Sequence, residues 1–124
     1  MGEGKKILII DDEEDIQKMI RIRLQQEGFN VVMANDGDVG LKVAEEEEPD
    51  LIIMDIMMPK MDGYSCLKEV RKLPKLKDVP VLMLSGKEED KVKDLFAFQK
   101  ISGYFEKPFE LDIVVDKIKA ILKV

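Results

Sequence analysis

The run Leu51-Ile52-Ile53-Met54, which ends directly in Asp55, constrains the fold of this chain more than any other feature. An uninterrupted apolar run of this length is typical of a strand that is buried on both faces of a parallel sheet. A carboxylate at the end of such a strand is costly to bury unless it has a partner. The run therefore predicts a parallel sheet and marks Asp55 as a candidate functional residue.

Three other strand-like runs also end in polar residues. These runs and the residues that follow them are Lys6–Ile10 with Asp11 and Asp12, residues 81–84 with Ser85, and residues 103–106 with Lys107. In a parallel sheet that is covered by helices, ligands bind outside the carboxyl ends of the strands. We therefore expect these polar side chains to meet at one edge of the sheet.

Helical patterns separate the predicted strands. We predict a further strand at residues 29–34 and helices at residues 14–27, 36–48, 64–73, 88–100 and 111–122. The inward faces are predicted to include Ile16, Met19, Ile20 and Leu24 in the first helix and Val39, Val43 and Ala44 in the second. Strands that alternate with helices indicate an α/β fold with a five-stranded, doubly wound parallel sheet.

Composition limits the class of protein. The chain has 124 residues and a 45% hydrophobic fraction, so we expect a single domain over residues 1–124, and a monomer. Its net charge of -6 argues against direct nucleic-acid binding, which needs a basic face. The single cysteine, Cys66, excludes an internal disulfide and a cysteine-based zinc cluster. With no signal peptide and no apolar stretch near the length of a membrane span, we expect a cytoplasmic protein without membrane insertion.

The acidic residues at the strand ends predict a metal site. Asp11, Asp12 and Asp55 would repel one another unless a hard cation neutralised them, and Mg²⁺ suits a few carboxylates with water and phosphate oxygens. A carboxylate can attack phosphorus, while a metal and Lys107 stabilise charge on the phosphoryl oxygens. Alone, the aspartate pair could be a helix cap, Ser85 a turn residue and Lys107 a surface lysine. Their joint occurrence at successive strand ends favours a phosphoryl-accepting site, which Glu13 could join only through its longer side chain.

The chain resembles a two-component response regulator receiver domain, similar to the stand-alone chemotaxis type. The matching segments are Ile7-Leu8-Ile9-Ile10-Asp11-Asp12-Glu13, residues 49–63 around Asp55, Pro80-Val81-Leu82-Met83-Leu84-Ser85, and Lys107-Pro108-Phe109. The resemblance implies a flavodoxin-like (βα)5 fold with strand order 2-1-3-4-5, by analogy with the chemotaxis member of this family. It also implies a phosphoacceptor regulatory domain rather than an enzyme.

The resemblance also implies a role for each site residue. Asp55 would be the phosphoacceptor; Asp11, Asp12, Asp55 and the backbone carbonyl of Met57 would hold Mg²⁺; Ser85 and Lys107 would contact the phosphoryl group; and Ser85 with Tyr104 would form the switch. The bond between Lys107 and Pro108 would be cis. A histidine kinase or histidine phosphotransfer protein would donate the phosphoryl group, and a downstream protein of unknown identity would receive the signal.

Other classes of protein would need residues that differ from those at the site. A phosphatase of the dehalogenase type needs a second aspartate two residues after Asp55, where this chain has Met57. A flavin-binding protein would need a phosphate-cradling first loop, and the acids at residues 11–14 would repel that phosphate. A receiver-like domain that binds its partner constitutively remains open. The apolar Met57 side chain cannot orient attacking water, so we predict slow loss of the phosphoryl group; a half-life of only seconds would contradict this.

Overall fold

Five parallel strands form one sheet in the order β2-β1-β3-β4-β5, as predicted. The computed structural model describes residues 2–58, 61–86 and 101–124, apart from the side chain of Ser85. The strands are β1 (Lys6–Ile10), β2 (Asn30–Ala34), β3 (Leu51–Asp55), β4 (Val81–Ser85) and β5 (Gly103–Glu106). All five residues of β3 are buried, because helices cover both faces of this central strand.

Helices pack on both faces of the sheet and divide the core into two layers. They are α1 (Glu14–Gln26), α2 (Gly37–Glu47), α3 (Gly63–Lys72) and α4 (Leu111–Leu122), with a short 3-10 turn at Pro74–Leu76. On one face, Leu8, Ile52 and Met83 lie in the same cluster as residues of α2 and α3. On the other face, Ile7, Ile53 and Leu82 cluster with residues of α1 and α4. Alternate residues of each strand thus fill opposite layers, which is the doubly wound arrangement.

The inward face of α1 differs from the prediction at one position. Ile20 and Leu24 are fully buried, whereas Met19 is 45% exposed and the buried polar residue is Gln17. Gln17, Ile20 and Leu24 follow a spacing of three and four residues, so they share one helix face from which Met19 points away. The prediction for Met19 was wrong because the amide of Gln17 has partners at the strand ends, as described below.

The inward face of α2 is made of small residues. Gly37, Gly40 and Ala44 are its buried positions, and Val39 is 44% exposed, which contradicts the predicted inward position of Val39. A Cβ at Gly40 would lie 2.6 Å from Cδ1 of Ile10. The helix therefore approaches β1 too closely for a larger residue at position 40, whereas Val43 packs against the core as predicted.

The predicted helix at residues 88–100 lies outside the described residues. Within the ranges that the structure does describe, no helix is long and apolar enough to cross a membrane.

Candidate functional site

Asp11 and Asp55 lie side by side because their strands are neighbours. β1 pairs with β3 in parallel, with Ile10 opposite Met54, so the residues that end or follow these strands share one edge. Gly63, the first residue of α3, packs directly against this edge and donates its N–H to the Ile56 carbonyl oxygen at 2.8 Å. A Cβ at Gly63 would collide with the backbone carbonyl oxygen of Asp55. The glycine is therefore required by the close approach of α3 to the end of β3.

The three predicted acidic residues form one cluster. Carboxylate oxygens of Asp11, Asp12 and Asp55 all lie within 4.8 Å of one another. Asp11 and Asp55 are buried, while Asp12 is exposed. Three hard oxygen donors that converge in this way, with an open side for water and a phosphate oxygen, fit the preferences of Mg²⁺.

Lys107 inserts its ammonium group between the acids. Nζ lies 2.8 Å from Oε1 of Glu13, 3.2 Å from Oδ2 of Asp55 and 3.4 Å from Oδ2 of Asp11. The Lys107 side chain is only 13% exposed, and the following bond to Pro108 is cis, as predicted. Sequence reasoning brought Lys107 to Asp55 but did not assign it to Glu13, whose contact is the shortest of the three.

Burial sets the electrostatics of the site. Burial raises the pKa of Asp55 from its ordinary 3.8 to about 7; the Asp11 carboxylate also raises it, while Lys107 and the Met57 N–H lower it. Burial likewise raises the pKa of Asp11, against the opposing hydrogen bond from the Glu13 N–H. Burial lowers the pKa of Lys107, but the Glu13 hydrogen bond and the charges of Asp55 and Asp11 outweigh it and the net shift is upward. The site therefore contains closely spaced acids whose ionisation is opposed by burial and only partly compensated by Lys107.

Gln17 fixes the backbone that carries Asp11, and sequence reasoning missed it. Its side-chain amide donates to the Asp11 carbonyl oxygen at 3.0 Å and to the Ala34 carbonyl oxygen at 2.7 Å. The N–H of Asp11 donates to the same Ala34 oxygen at 3.1 Å, so the ends of β1 and β2 are joined. The available signal was a polar residue at the inward spacing of an otherwise apolar helix face.

The remaining predicted residues lie where the strand assignment places them. The Met57 N–H donates to Oδ1 of Asp55 at 3.2 Å, and the Met57 side chain is 70% exposed. Ser85 ends β4, next to β3, but its hydroxyl lies outside the described part of the structure. Tyr104 lies in β5 and packs, half-buried, against the core layer of α2 and α3. The roles of the Met57 carbonyl, Ser85 and Tyr104 stay predictions.

The sequence matches the response regulator receiver domain over residues 7–119. The chain belongs to this family. It is 41% identical over 120 residues to the alkaline phosphatase synthesis transcriptional regulatory protein PhoP of Bacillus subtilis. The aligned region covers 97% of this chain and 49% of PhoP. The receiver-domain chain thus spans about half the length of the curated relatives that it matches.

Solved structures of similar receiver domains share the fold. The chemotaxis protein CheY4 of Vibrio cholerae superposes with a TM-score of 0.90 at 30% identity, over 95% of this chain and 98% of CheY4. The receiver domain of the sensor histidine kinase PA1611 of Pseudomonas aeruginosa, solved with a magnesium ion coordinated in its active site cleft, gives a TM-score of 0.88 at 26% identity, over 98% of this chain and 99% of that domain. The flavodoxin-like architecture is therefore confirmed.

Proposed function

We propose that this receiver domain accepts a phosphoryl group on Asp55, in the presence of Mg²⁺, from a histidine kinase or a histidine phosphotransfer protein. The observation that carries the proposal is the buried Asp55 carboxylate with Lys107 at 3.2 Å and two further aspartates beside it. A carboxylate of this kind is a competent nucleophile toward phosphorus, and Lys107, together with Mg²⁺ held by the aspartates, would offset the charge of a transferring phosphoryl group.

Transfer of the phosphoryl group from a donor histidine to Asp55 needs no further reactant. A carboxylate oxygen of Asp55 attacks phosphorus, the bond from phosphorus to the imidazole nitrogen of the donor breaks, and the imidazole retains the bonding electron pair. Lys107 donates to a phosphoryl oxygen and offsets its charge. Asp11, Asp12, Asp55 and the Met57 carbonyl would hold Mg²⁺, which when bound supplies charge neutralisation at the phosphoryl oxygens.

The output follows from the change in charge at the end of β3. The phosphoryl group gives Ser85 a new hydrogen-bond acceptor, and inward movement of Tyr104 would alter the surface around β5. Phosphorylation would then shift a two-state equilibrium toward the form that binds a downstream protein. The matched relative PhoP is named as a transcriptional regulator, but the acidic receiver part itself is proposed to signal by protein contact.

Phosphorylation by a small-molecule donor tests the proposal directly. Wild-type protein is incubated with acetyl phosphate, with and without Mg²⁺, and its intact mass is measured. We expect a hydroxylamine-sensitive mass gain of one phosphoryl group that needs Mg²⁺ and is absent from Asp55→Asn. The matched control is Asp62→Asn, at an exposed helix-capping aspartate where asparagine caps equally well. Equal labelling of wild type and Asp55→Asn would refute Asp55 as the acceptor.

A further inference from the structure

Lys107 has as many ammonium hydrogens as it has carboxylate neighbours among the residues that the structure describes. An ammonium group carries three donors, and the described ion pairs of Lys107 are with Glu13, Asp55 and Asp11. In this arrangement no donor of Lys107 is left to meet a phosphoryl oxygen. One carboxylate must therefore give up its hydrogen bond when the phosphoryl group arrives.

Glu13 is the neighbour that can leave at the smallest cost. Its side chain is 55% exposed, whereas the side chains of Asp11 and Asp55 are 0% and 2% exposed. A released Glu13 carboxylate is hydrated by solvent. Asp11, or Asp55 before its oxygen bonds to phosphorus, would instead lose its partner without gaining water. Glu13 also has the shortest contact with Lys107, at 2.8 Å, so it is the acceptor that competes most directly with the incoming group.

The local helix geometry also indicates that Glu13 serves Lys107. Glu13 is the N-cap residue of α1, yet its side chain makes no capping hydrogen bond. Aspartate, asparagine, serine and threonine are favoured at this position because their side chains reach the first helical N–H groups. The longer glutamate instead directs its carboxylate across the pocket to a lysine 94 residues away.

We infer that Glu13 is a positioning residue that occupies one donor of Lys107 in the resting state and slows phosphoryl acceptance until it releases that donor. The effect on phosphoryl acceptance rests on the proposed function, whereas the contact between Glu13 and Lys107 does not. Removing the contact frees one ammonium hydrogen for the phosphoryl oxygen. Because the Glu13 side chain is half-exposed, solvent weakens its ion pair with Lys107, and we expect a modest change in rate, on the order of two- to fivefold.

Three variants separate contact from charge. Glu13→Gln removes the charge and the ion pair. Glu13→Asp keeps the charge but shortens the side chain and makes it a favoured N-cap, so the carboxylate turns toward α1. Glu14→Gln makes the same change in net charge at the neighbouring exposed position. All three lie at solvent-exposed positions, and thermal unfolding confirms that each variant is folded.

The first measurement probes the contact without metal or phosphoryl donor. Protein in EDTA is treated with an amine-acylating reagent, and labelling of Lys107 is followed by peptide mass mapping, with Lys119 as internal reference because it pairs with Glu27 at 2.6 Å. We expect labelling of Lys107 to rise about two- to fivefold in both Glu13 variants and to stay near wild type in Glu14→Gln. Unchanged labelling in both Glu13 variants would overturn the contact.

The second measurement is the rate of phosphorylation by acetyl phosphate with Mg²⁺. We expect both Glu13 variants to react about two- to fivefold faster than wild type, and Glu14→Gln to match wild type. Equal acceleration in Glu13→Gln and Glu14→Gln, with none in Glu13→Asp, would show a plain charge effect and overturn the positioning role; so would a slower Glu13→Gln. Failure of wild type to be phosphorylated refutes the proposed function, whereas intact wild-type labelling without this contrast refutes only the role of Glu13.

Discussion

Replacement of Asp55 by asparagine should stabilise the metal-free protein, and the gain should depend on pH. Asp55 is 1% exposed, and burial and Asp11 raise its pKa from 3.8 to about 7. The folded state therefore binds its proton more tightly than the unfolded chain does. Below pH 3.8 the group is protonated in both states and costs nothing. Between that value and about pH 7 the unfolded chain ionises first, so stability is lost as pH rises.

The magnitude follows from the size of the shift. At 1.36 kcal/mol for each pH unit, the rise from 3.8 to about 7 corresponds to a cost of about 4 kcal/mol at pH 8, about 2 kcal/mol at pH 5 and nearly zero at pH 3.5. Asparagine is isosteric with aspartate and carries no charge to bury. Lys107 keeps Glu13 and Asp11 as partners in the variant. The stability difference between Asp55→Asn and wild type should therefore grow from near zero to at most about 4 kcal/mol across this pH range.

Urea unfolding in EDTA at pH 3.5, 5 and 8 measures this difference. Asp62→Asn is the control, because its exposed side chain accepts from the Ser65 N–H and asparagine can do the same; it should change stability little at every pH. Excess Mg²⁺ should stabilise wild type, by about 2.7 kcal/mol at one hundred times the dissociation constant, and should stabilise Asp55→Asn less, so that the contrast between them shrinks. A pH-independent difference, or an Asp55→Asn variant less stable than wild type at pH 8 in EDTA, would refute the assignment of electrostatic cost to Asp55.

Two further substitutions test how the fold positions the site. Gly63→Ala should lower the free energy of unfolding by about 1–3 kcal/mol and weaken Mg²⁺ binding, because its Cβ meets the Asp55 carbonyl. Gly86→Ala is the control, since no atom of the described residues lies within 4 Å of a Cβ there, and equal effects in urea unfolding would contradict the close approach of Gly63. Gln17→Leu should cost about 1–3 kcal/mol, because the Asp11 carbonyl loses a buried donor, and should weaken Mg²⁺ binding in thermal-shift titrations. Gln26→Leu, at an exposed position of the same helix, should do neither, and a Gln17→Leu protein with unchanged metal affinity would refute the positioning of Asp11.

The strand ends could be predicted from the sequence, but the helix faces and side-chain partners could not be predicted completely. The four apolar residues before Asp55 identify a buried strand, because a short unbroken apolar run indicates such a strand from local composition alone. The inward position of Gln17 depends on carbonyl groups of Asp11 and Ala34, and the second is 17 residues away in sequence. Val39 was misplaced because Gly40 approaches Ile10, and no periodic apolar pattern reports a close backbone approach.

Glu13 shows the same limit at the site itself. Its local sequence context is that of a helix N-cap, where a glutamate has little preference, so propensity alone gives it no role. Only the fold brings Lys107, which follows the edge strand β5, within reach of Glu13, which lies 94 residues away and shortly after β1. A residue that is poorly suited to its local position is informative, because a distant partner can explain why it is tolerated there.

The electrostatic cost at Asp55 and the proposed chemistry have one physical origin. Burial among Asp11, Asp55 and their neighbours opposes ionisation, and Lys107 compensates for only part of that charge. A divalent cation relieves the remaining repulsion between the carboxylates, and this relief favours binding of the cation. Asp55→Asn removes both the repulsion with Asp11 and the proposed nucleophile. A variant that is more stable in EDTA, gains less from Mg²⁺ and accepts no phosphoryl group would therefore link stability, metal binding and reactivity to this single carboxylate.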